Sequence, residues 1–214
     1  IEEMSDSETS LIGFSRGESS RDLFHATNPA TGEQLPGGYA AASEAETDQA
    51  AELAEKASGA LAALSGVEKA KFLRAVADNV DGIVEDLVSI VTAETGLPEP
   101  RVRGETARTS GQLRMFADLV EEGSCVDARI DHAIPDRQPI PKPDLRSMLR
   151  PIGPVGVFCA SNFPLAFSVA GGDTASAFAG GCPVIVKAHH AHPGSALAVG
   201  KAVIEAVKSC GLPE

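Results

Sequence analysis

The sequence has no tryptophan and only one tyrosine, and aromatic residues make up 4% of it. Stacking platforms for bases or sugars are therefore not part of its chemistry. Positive charge is also scarce. Eighteen Lys and Arg stand against 30 Asp and Glu, a formal net charge of -12. Phosphate backbones are held by Lys and Arg, so this balance speaks against nucleic acid as a partner. It favours solubility and is silent on fold. Cysteine is sparse and unclustered: Cys125, Cys159, Cys182 and Cys210 form no C-x-x-C pair. That spacing suggests neither a zinc site nor a disulfide framework, and reduced cytoplasmic thiols are the plain expectation. The first ten residues, IEEMSDSETS, lack the basic and apolar regions of a signal peptide. No G-x-G-x-x-G is present.

A long uninterrupted apolar run is missing too. The nearest approach is Pro151 to His192, where Asp173 is the only charge before Lys187. Pro154, Pro164, Asn162 and the pairs Gly171-Gly172 and Gly180-Gly181 break it. A membrane span needs about 20 mostly apolar residues in one helix, so no membrane role is expected.

At 214 residues the chain is long enough to bury a core without staples. Residues 1–22 read as a leader, disordered to Ser10, with Leu11 to Phe14 as a possible edge strand. Residues 23–124 are mainly helical, after turns at Asn28-Pro29, Thr31-Gly32 and Pro36-Gly37-Gly38. Ser43 and Glu46 form a capping box ahead of a first helix, with Ala50, Leu53, Ala54, Ala57, Leu61 and Leu64 on one face. Phe72, Leu73, Val76 and Val80 mark a second helix. Ile83, Leu87, Ile90 and Val91 mark a third, stopped by Gly96. A fourth runs from about Pro98 to Glu122, ends at Gly123, and turns Val102, Leu113, Phe116 and Val120 inward. Arg101, Arg103, Glu105 and Arg108 read as its solvated face. In residues 125–150 four prolines exclude a helix. This segment reads as an extended arm that pairs with another part of the chain or another subunit, with a strand near Arg146 to Arg150.

Residues 151–214 carry the organising pattern. Val155 to Cys159 and Pro183 to Val186 are short apolar runs flanking a small-residue segment, which reads as a βαβ unit with parallel strands. Ser195 to Lys208 adds a helix. Ligands of such sheets gather at the carboxyl ends of the strands. Those ends are Ala160-Ser161-Asn162 and Lys187-Ala188-His189-His190. Two parallel strands leave two open edges, which implies a piece of a longer sheet. The fold class is α/β.

GPVGVFCASNFPL resembles the strand-and-turn of aldehyde dehydrogenases, and PVIVKAHHAHP resembles that family's next strand and its cofactor-contacting loop. The upstream helices, AETG with its following Pro, and the Pro-rich arm are similar as well. The resemblance runs from about Leu11 to Glu214 and covers the N-terminal half of the family's length. ASNFPLAFSVAGGDTASAFAGG and VKAHHAHPG look most like the branch acting on α-ketoglutaric semialdehyde (2,5-dioxopentanoate). The resemblance implies a fold that is the first part of a Rossmann-like parallel sheet, with an N-terminal helical segment and an oligomerisation arm. It also implies a homo-oligomer, dimer or tetramer, acting on a small aldehyde. The nucleophilic Cys, the general-base Glu and the helix start that meets the cofactor pyrophosphate would lie downstream of Glu214. This chain alone is then expected to be inactive.

Carried onto this sequence, the resemblance makes Asn162 the donor to the oxyanion formed when a thiolate attacks the aldehyde. A turn Asn satisfying nearby backbone groups is the plainer alternative. Phe158, Cys159, Ala160 and Ser161 would line the cofactor, Ser161 replacing the bulky aromatic of most relatives. Lys187, Ala188, His189 and His190 would form the ribose side, with Lys187 donating to ribose hydroxyls. His190 stands where many relatives carry Glu, an acid that repels the 2′-phosphate of NADP. NADP is the expected cofactor, with NAD possible. Cys159 reads as structural, because no His adjoins it and burial raises a thiol's pKa. Gly171, Gly172, Gly180 and Gly181 read as aids to close helix–sheet packing. His189, His190 and His192 lack the helical i, i+4 spacing of zinc ligands, so no metal is expected. Two rivals stay open: a non-catalytic nucleotide-binding or oligomer-building protein, and a reductase of acyl phosphates or thioesters.

Overall fold

Short strands open the chain in a computed structural model that describes residues 7–18 and 22–214. β1 (Ser7–Glu8) pairs in parallel with β5 (Gly38–Ala40), and β4 (Leu23–Phe24) pairs antiparallel on its other side. β2 (Leu11–Ile12) and β3 (Ser15–Arg16) form a hairpin turned by Gly13 at φ 56°. Of the expected leader, residues 1–6 lie outside the described residues. The expected disorder is corrected at Ser7–Glu8, where ladder bonds to β5 hold an extended backbone.

The helices follow their capping chemistry. α1 (Glu44–Ala63) starts at Ser43, whose Oγ accepts from the Glu46 amide at 3.2 Å while Glu46 accepts from the Ser43 amide at 2.7 Å. Glu46 also accepts from the Glu18 amide at 2.7 Å, tying the N-terminal hairpin to the helix. α2 (Gly66–Gly82) has a second such box, Ser65 with Glu68. α3 (Val84–Thr95) and α4 (Glu99–Glu122) end on Gly96 and Gly123, both in the left-handed region that favours glycine. α2 packs along α4 so closely that a Cβ on Gly66 would fall 2.1 Å from the Val120 carbonyl oxygen.

Leu73, Val76, Val80, Leu87, Val91, Val102 and Leu113 are fully buried between these helices. Each such side chain contributes about 1.5–3 kcal/mol of transfer free energy. The buried face of α4 is partly polar: Glu105, Thr106, Thr109 and Ser110 are all inside. The Thr106 and Thr109 hydroxyls donate to carbonyls one turn back in their own helix, each at 2.9 Å, so they enter the core satisfied.

Residues 125–150 form a hairpin, with β6 (Arg129–Asp131) antiparallel to β7 (Leu145–Ser147) and a further bridge between Ile134 and Lys142. The strand expected near Arg146 to Arg150 is therefore centred slightly earlier. β8 (Val155–Phe158) pairs in parallel with β9 (Val184–Lys187), the register running from Val155 opposite Val184 to Phe158 opposite Lys187. The crossover helix α5 (Gly172–Gly180) is short, because residues 161–171 form successive turns instead. Gly171 is required there: a Cβ would fall 2.3 Å from the Ala166 carbonyl oxygen. Gly181 is required for another reason, as the left-handed end of α5. A Cβ on Gly180 would make only an ordinary contact, so helix–sheet closeness does not explain that glycine.

α6 (Pro193–Ser209) packs on α2 and α3. Val157 and Cys159 face these helices, whereas Gly156 and Phe158 lie on an open face of the sheet. Parallel sheets bury both faces in finished domains, so this face is built to be covered. No helix among the described residues is long and apolar enough to cross a membrane.

Candidate functional site

Two turns leave the carboxyl ends of β8 and β9, and every expected site residue lies on or beside them. The first is held from three sides. The Cys159 amide donates to the Lys187 carbonyl at 3.1 Å, extending the ladder by one residue. The Ala160 amide donates to the Phe167 carbonyl at 2.9 Å, closing a loop around Asn162. Glu105 of α4, only 4% exposed, places one carboxylate oxygen 2.9 Å from the Leu165 amide and 2.9 Å from the Ala166 amide. Reading Glu105 as part of a solvated face is thus corrected. It is a buried acceptor, and its charge is met by two amides and by Arg101 at 3.4 Å. Arg101 and Arg108 are exposed, as expected, and they also cover the turn. Their guanidinium carbons lie 4.8 and 5.7 Å from the centroid of Phe163, and Arg108 also covers Phe167 at 5.2 Å. Arg103 pairs with Glu85 and Glu99 at the surface.

This scaffold leaves Asn162 exposed, and its carboxamide has no hydrogen-bond partner among the described residues. Glu105 accepts from the Leu165 and Ala166 amides, so the Asn162 side chain is not what holds them.

The second turn is anchored by His192. Its side chain is 0% exposed and its Nε2 donates to the Ala160 carbonyl at 2.9 Å, linking the two strand ends. Because a carbonyl only accepts, Nε2 carries the proton. α3 contributes Glu94, also buried, which accepts from the Gly194 amide at 2.7 Å, the Ser195 amide at 2.9 Å and the Ser195 hydroxyl at 2.5 Å. A carboxylate thus caps α6 and fixes where the His loop ends. His189 stacks on His190 at 4.5 Å and on His192 at 5.6 Å. Burial pushes the His189 imidazole below its ordinary range, and the neighbouring His190, His192 and Lys187 charges push the same way. The His189 Nδ1 accepts from the Ala191 amide at 3.2 Å, and the His192 Nε2 is taken up by the Ala160 carbonyl. No group of three His, Cys, Asp or Glu among the described residues is placed to hold a metal.

The remaining candidates divide by side. Phe158 is 77% exposed on the open face of the sheet. Cys159 points the opposite way into the core, and burial pushes its thiol up although the Ser168 hydroxyl and Lys187 pull it down. Only its backbone faces the site. Ser161, Lys187, Ala188 and His190 are exposed, and Ala160 and His189 are half-buried. Phe158–Ser161 and Lys187–His190 contain no carboxylate, and Lys187 has no ion pair among the described residues. An unpaired ammonium, an imidazole and a hydroxyl beside an open apolar face suit a phosphorylated nucleotide. Sequence reasoning had not assigned Glu94, Glu105, Arg101, Arg108 or the His192 anchor to the site.

A parallel βαβ unit with a free carboxamide at one strand end and a free Lys at the next is the first part of a Rossmann-like sheet. The aldehyde dehydrogenase family matches residues 14–214, and this chain belongs to it. It is 48% identical over 204 residues to α-ketoglutaric semialdehyde dehydrogenase 2 of Azospirillum brasilense, covering 95% of this chain and 39% of that protein. It is 45% identical over 168 residues to α-ketoglutaric semialdehyde dehydrogenase of Acinetobacter baylyi, covering 78% of this chain and 32% of that one. Among solved structures it is similar to an NADP-dependent enzyme of E. coli, with TM-score 0.81, 27% identity, and coverage of 97% of this chain and 40% of the other. A succinate-semialdehyde dehydrogenase of Burkholderia pseudomallei matches with TM-score 0.78, 29% identity and coverage of 97% and 40%. The chain thus spans about one third to two fifths of the length of these relatives.

Proposed function

We propose that the full-length protein oxidises an aldehyde to the carboxylic acid with NADP, or with NAD as the alternative, and that the aldehyde is a small acidic semialdehyde such as α-ketoglutaric semialdehyde. The observation that carries this reading is the free carboxamide of Asn162 on a turn whose Leu165 and Ala166 amides are held by Glu105. A cysteine and a base Glu beyond residue 214 would supply the nucleophile and activate water. Attack on the carbonyl moves its π electrons onto oxygen, and the Asn162 amide donates to that oxyanion as the thiohemiacetal forms. A bound nicotinamide dinucleotide would supply the hydride acceptor. Lys187 donates to its adenosine ribose, and His190 leaves the 2′-phosphate unopposed by negative charge. Phe158 and Ser161 present the surface along which the nucleotide lies. The cytoplasm is the proposed compartment, consistent with four free cysteines.

The test is the full-length protein with 2,5-dioxopentanoate and each nucleotide. Equimolar reduced nucleotide and 2-oxoglutarate are expected. Nucleotide binding without turnover would replace this reading with the non-catalytic one, which the buried, raised Cys159 favours as long as only these residues are considered. Activity on an acyl phosphate or thioester instead would move the reaction class.

Two further outcomes follow for the same protein. His190→Glu is expected to lower the NADP-to-NAD ratio of kcat/KM roughly 10- to 100-fold, because it sets a like charge near the 2′-phosphate. An unchanged ratio would show that His190 does not face the ribose. The arm exposes Ile130, Ile134, Ile140, Leu145, Met148 and Leu149, so a homo-oligomer, dimer or tetramer, is proposed. Sedimentation should give a mass of two or four chains; a single chain would remove the arm's assigned role.

A further inference from the structure

We propose that Arg108 recognises the carboxylate of the substrate, a specificity role that rests on the aldehyde oxidation proposed above. α4 carries Arg101, Glu105 and Arg108 at spacings of four and three, so the three lie on one stripe. That stripe docks on the turn that presents Asn162. Glu105 holds the Leu165 and Ala166 amides, while both guanidinium groups close over Phe163, the residue after Asn162.

The ion pairs of α4 single out Arg108. Arg101 is paired with Glu105, Arg103 with Glu85 and Glu99, and Arg114 with Asp78 and Asp81. Arg108 has no ion pair and no hydrogen bond among the described residues, in a sequence where 30 acids outnumber 18 bases. Internal carboxylates are plentiful, yet this guanidinium is left without one.

It is nevertheless positioned. Phe163 and Phe167 meet edge to face at 5.1 Å, and Arg108 lies over both. Contact with an aromatic ring uses the face of the guanidinium plane, whereas hydrogen bonds use its edge. Contact with the two rings holds Arg108 at the turn, and with no ion pair or hydrogen bond among the described residues its N–H donors are available to a carboxylate. A small semialdehyde carries its aldehyde and its carboxylate a few carbons apart. The oxyanion donor Asn162 and the ring beside Arg108 are adjacent residues, which puts both groups on the same turn.

The test compares 2,5-dioxopentanoate with pentanal, which has the same carbon count and no charge, in the full-length enzyme. In Arg108→Met the ratio of their kcat/KM values is expected to fall roughly 10- to 150-fold, the range spanned by loss of one charge-assisted hydrogen bond. Arg108→Lys should retain part of the ratio, because it keeps the charge and loses the fork. Arg101→Met should move it less, since Glu105 already neutralises that group. A ratio unchanged in Arg108→Met, or one lowered equally by Arg108→Lys and Arg108→Met, overturns the proposal. Binding of 2-oxoglutarate by calorimetry separates the two levels of inference. If neither aldehyde is oxidised by the wild-type protein, the proposed activity fails, and the titration alone decides Arg108. Binding weakened by Arg108→Met retains the site; equal binding removes it.

Discussion

Asn162→Ala is expected to lower kcat of the full-length enzyme about 100- to 1000-fold, the typical cost of one preorganised oxyanion donor. KM should change little, because full negative charge on the oxygen exists only as the tetrahedral adduct forms. Stability should stay within about 0.5 kcal/mol, as for surface substitutions that break no contact. The wild-type carboxamide is exposed and bonds to nothing among the described residues, so its removal leaves no buried group unsatisfied. Asn162→Asp should be at least as inactive, since a carboxylate of the same shape repels the oxyanion. The pair of results separates chemistry from folding. Full activity in either variant would mean that another group stabilises the oxyanion, and a large loss of stability would mean that the turn depends on Asn162 after all.

The elements were legible where one periodicity and one cap agree. Ser43 with Glu46 announces α1, Gly96 and Gly123 stop α3 and α4, and two apolar runs give β8 and β9. These signals are local, and the physics that reads them is local. The fixing of the site was less legible because it joins residues far apart. Glu94 and Ser195 are separated by 101 positions, and Glu105 and Ala166 by 61. Composition gives no reason to bury either carboxylate, since an acid is ordinarily placed in water. Yet the pattern did contain a clue. Val102, Glu105, Thr106, Thr109 and Leu113 follow the helical spacing of an inward stripe, and all five are buried. Residue type outweighed position in assigning Glu105 to solvent, and position was the better guide. The crossover helix is present, as the pattern implied, but it is short. Small residues after Asn162 are compatible with a helix, but Pro164 and the backbone approach at Gly171 hold eleven residues in turns before α5 begins.

Glu105→Ala is the change with the largest expected effect on stability, about 3–5 kcal/mol by chemical denaturation. One oxygen accepts from two buried amides at 2.9 Å each, and the other faces Arg101. Charge-assisted bonds of this kind contribute about 1.5–3 kcal/mol apiece, and truncation leaves both donors unsatisfied in the core. Glu105→Gln should recover much of the loss, because a side-chain carbonyl can still accept from both amides; what it forfeits is the attraction to Arg101. Glu105 touches no substrate in this arrangement, so its influence on rate must pass through the turn that carries Asn162. Removing it should therefore lower kcat in the wild-type background and change kcat far less in Asn162→Ala, where the donor is already gone. Additive losses would assign Glu105 to general stability alone. Non-additive losses, with recovery in Glu105→Gln, would show that a buried carboxylate on α4 sets the aim of a donor at the end of β8.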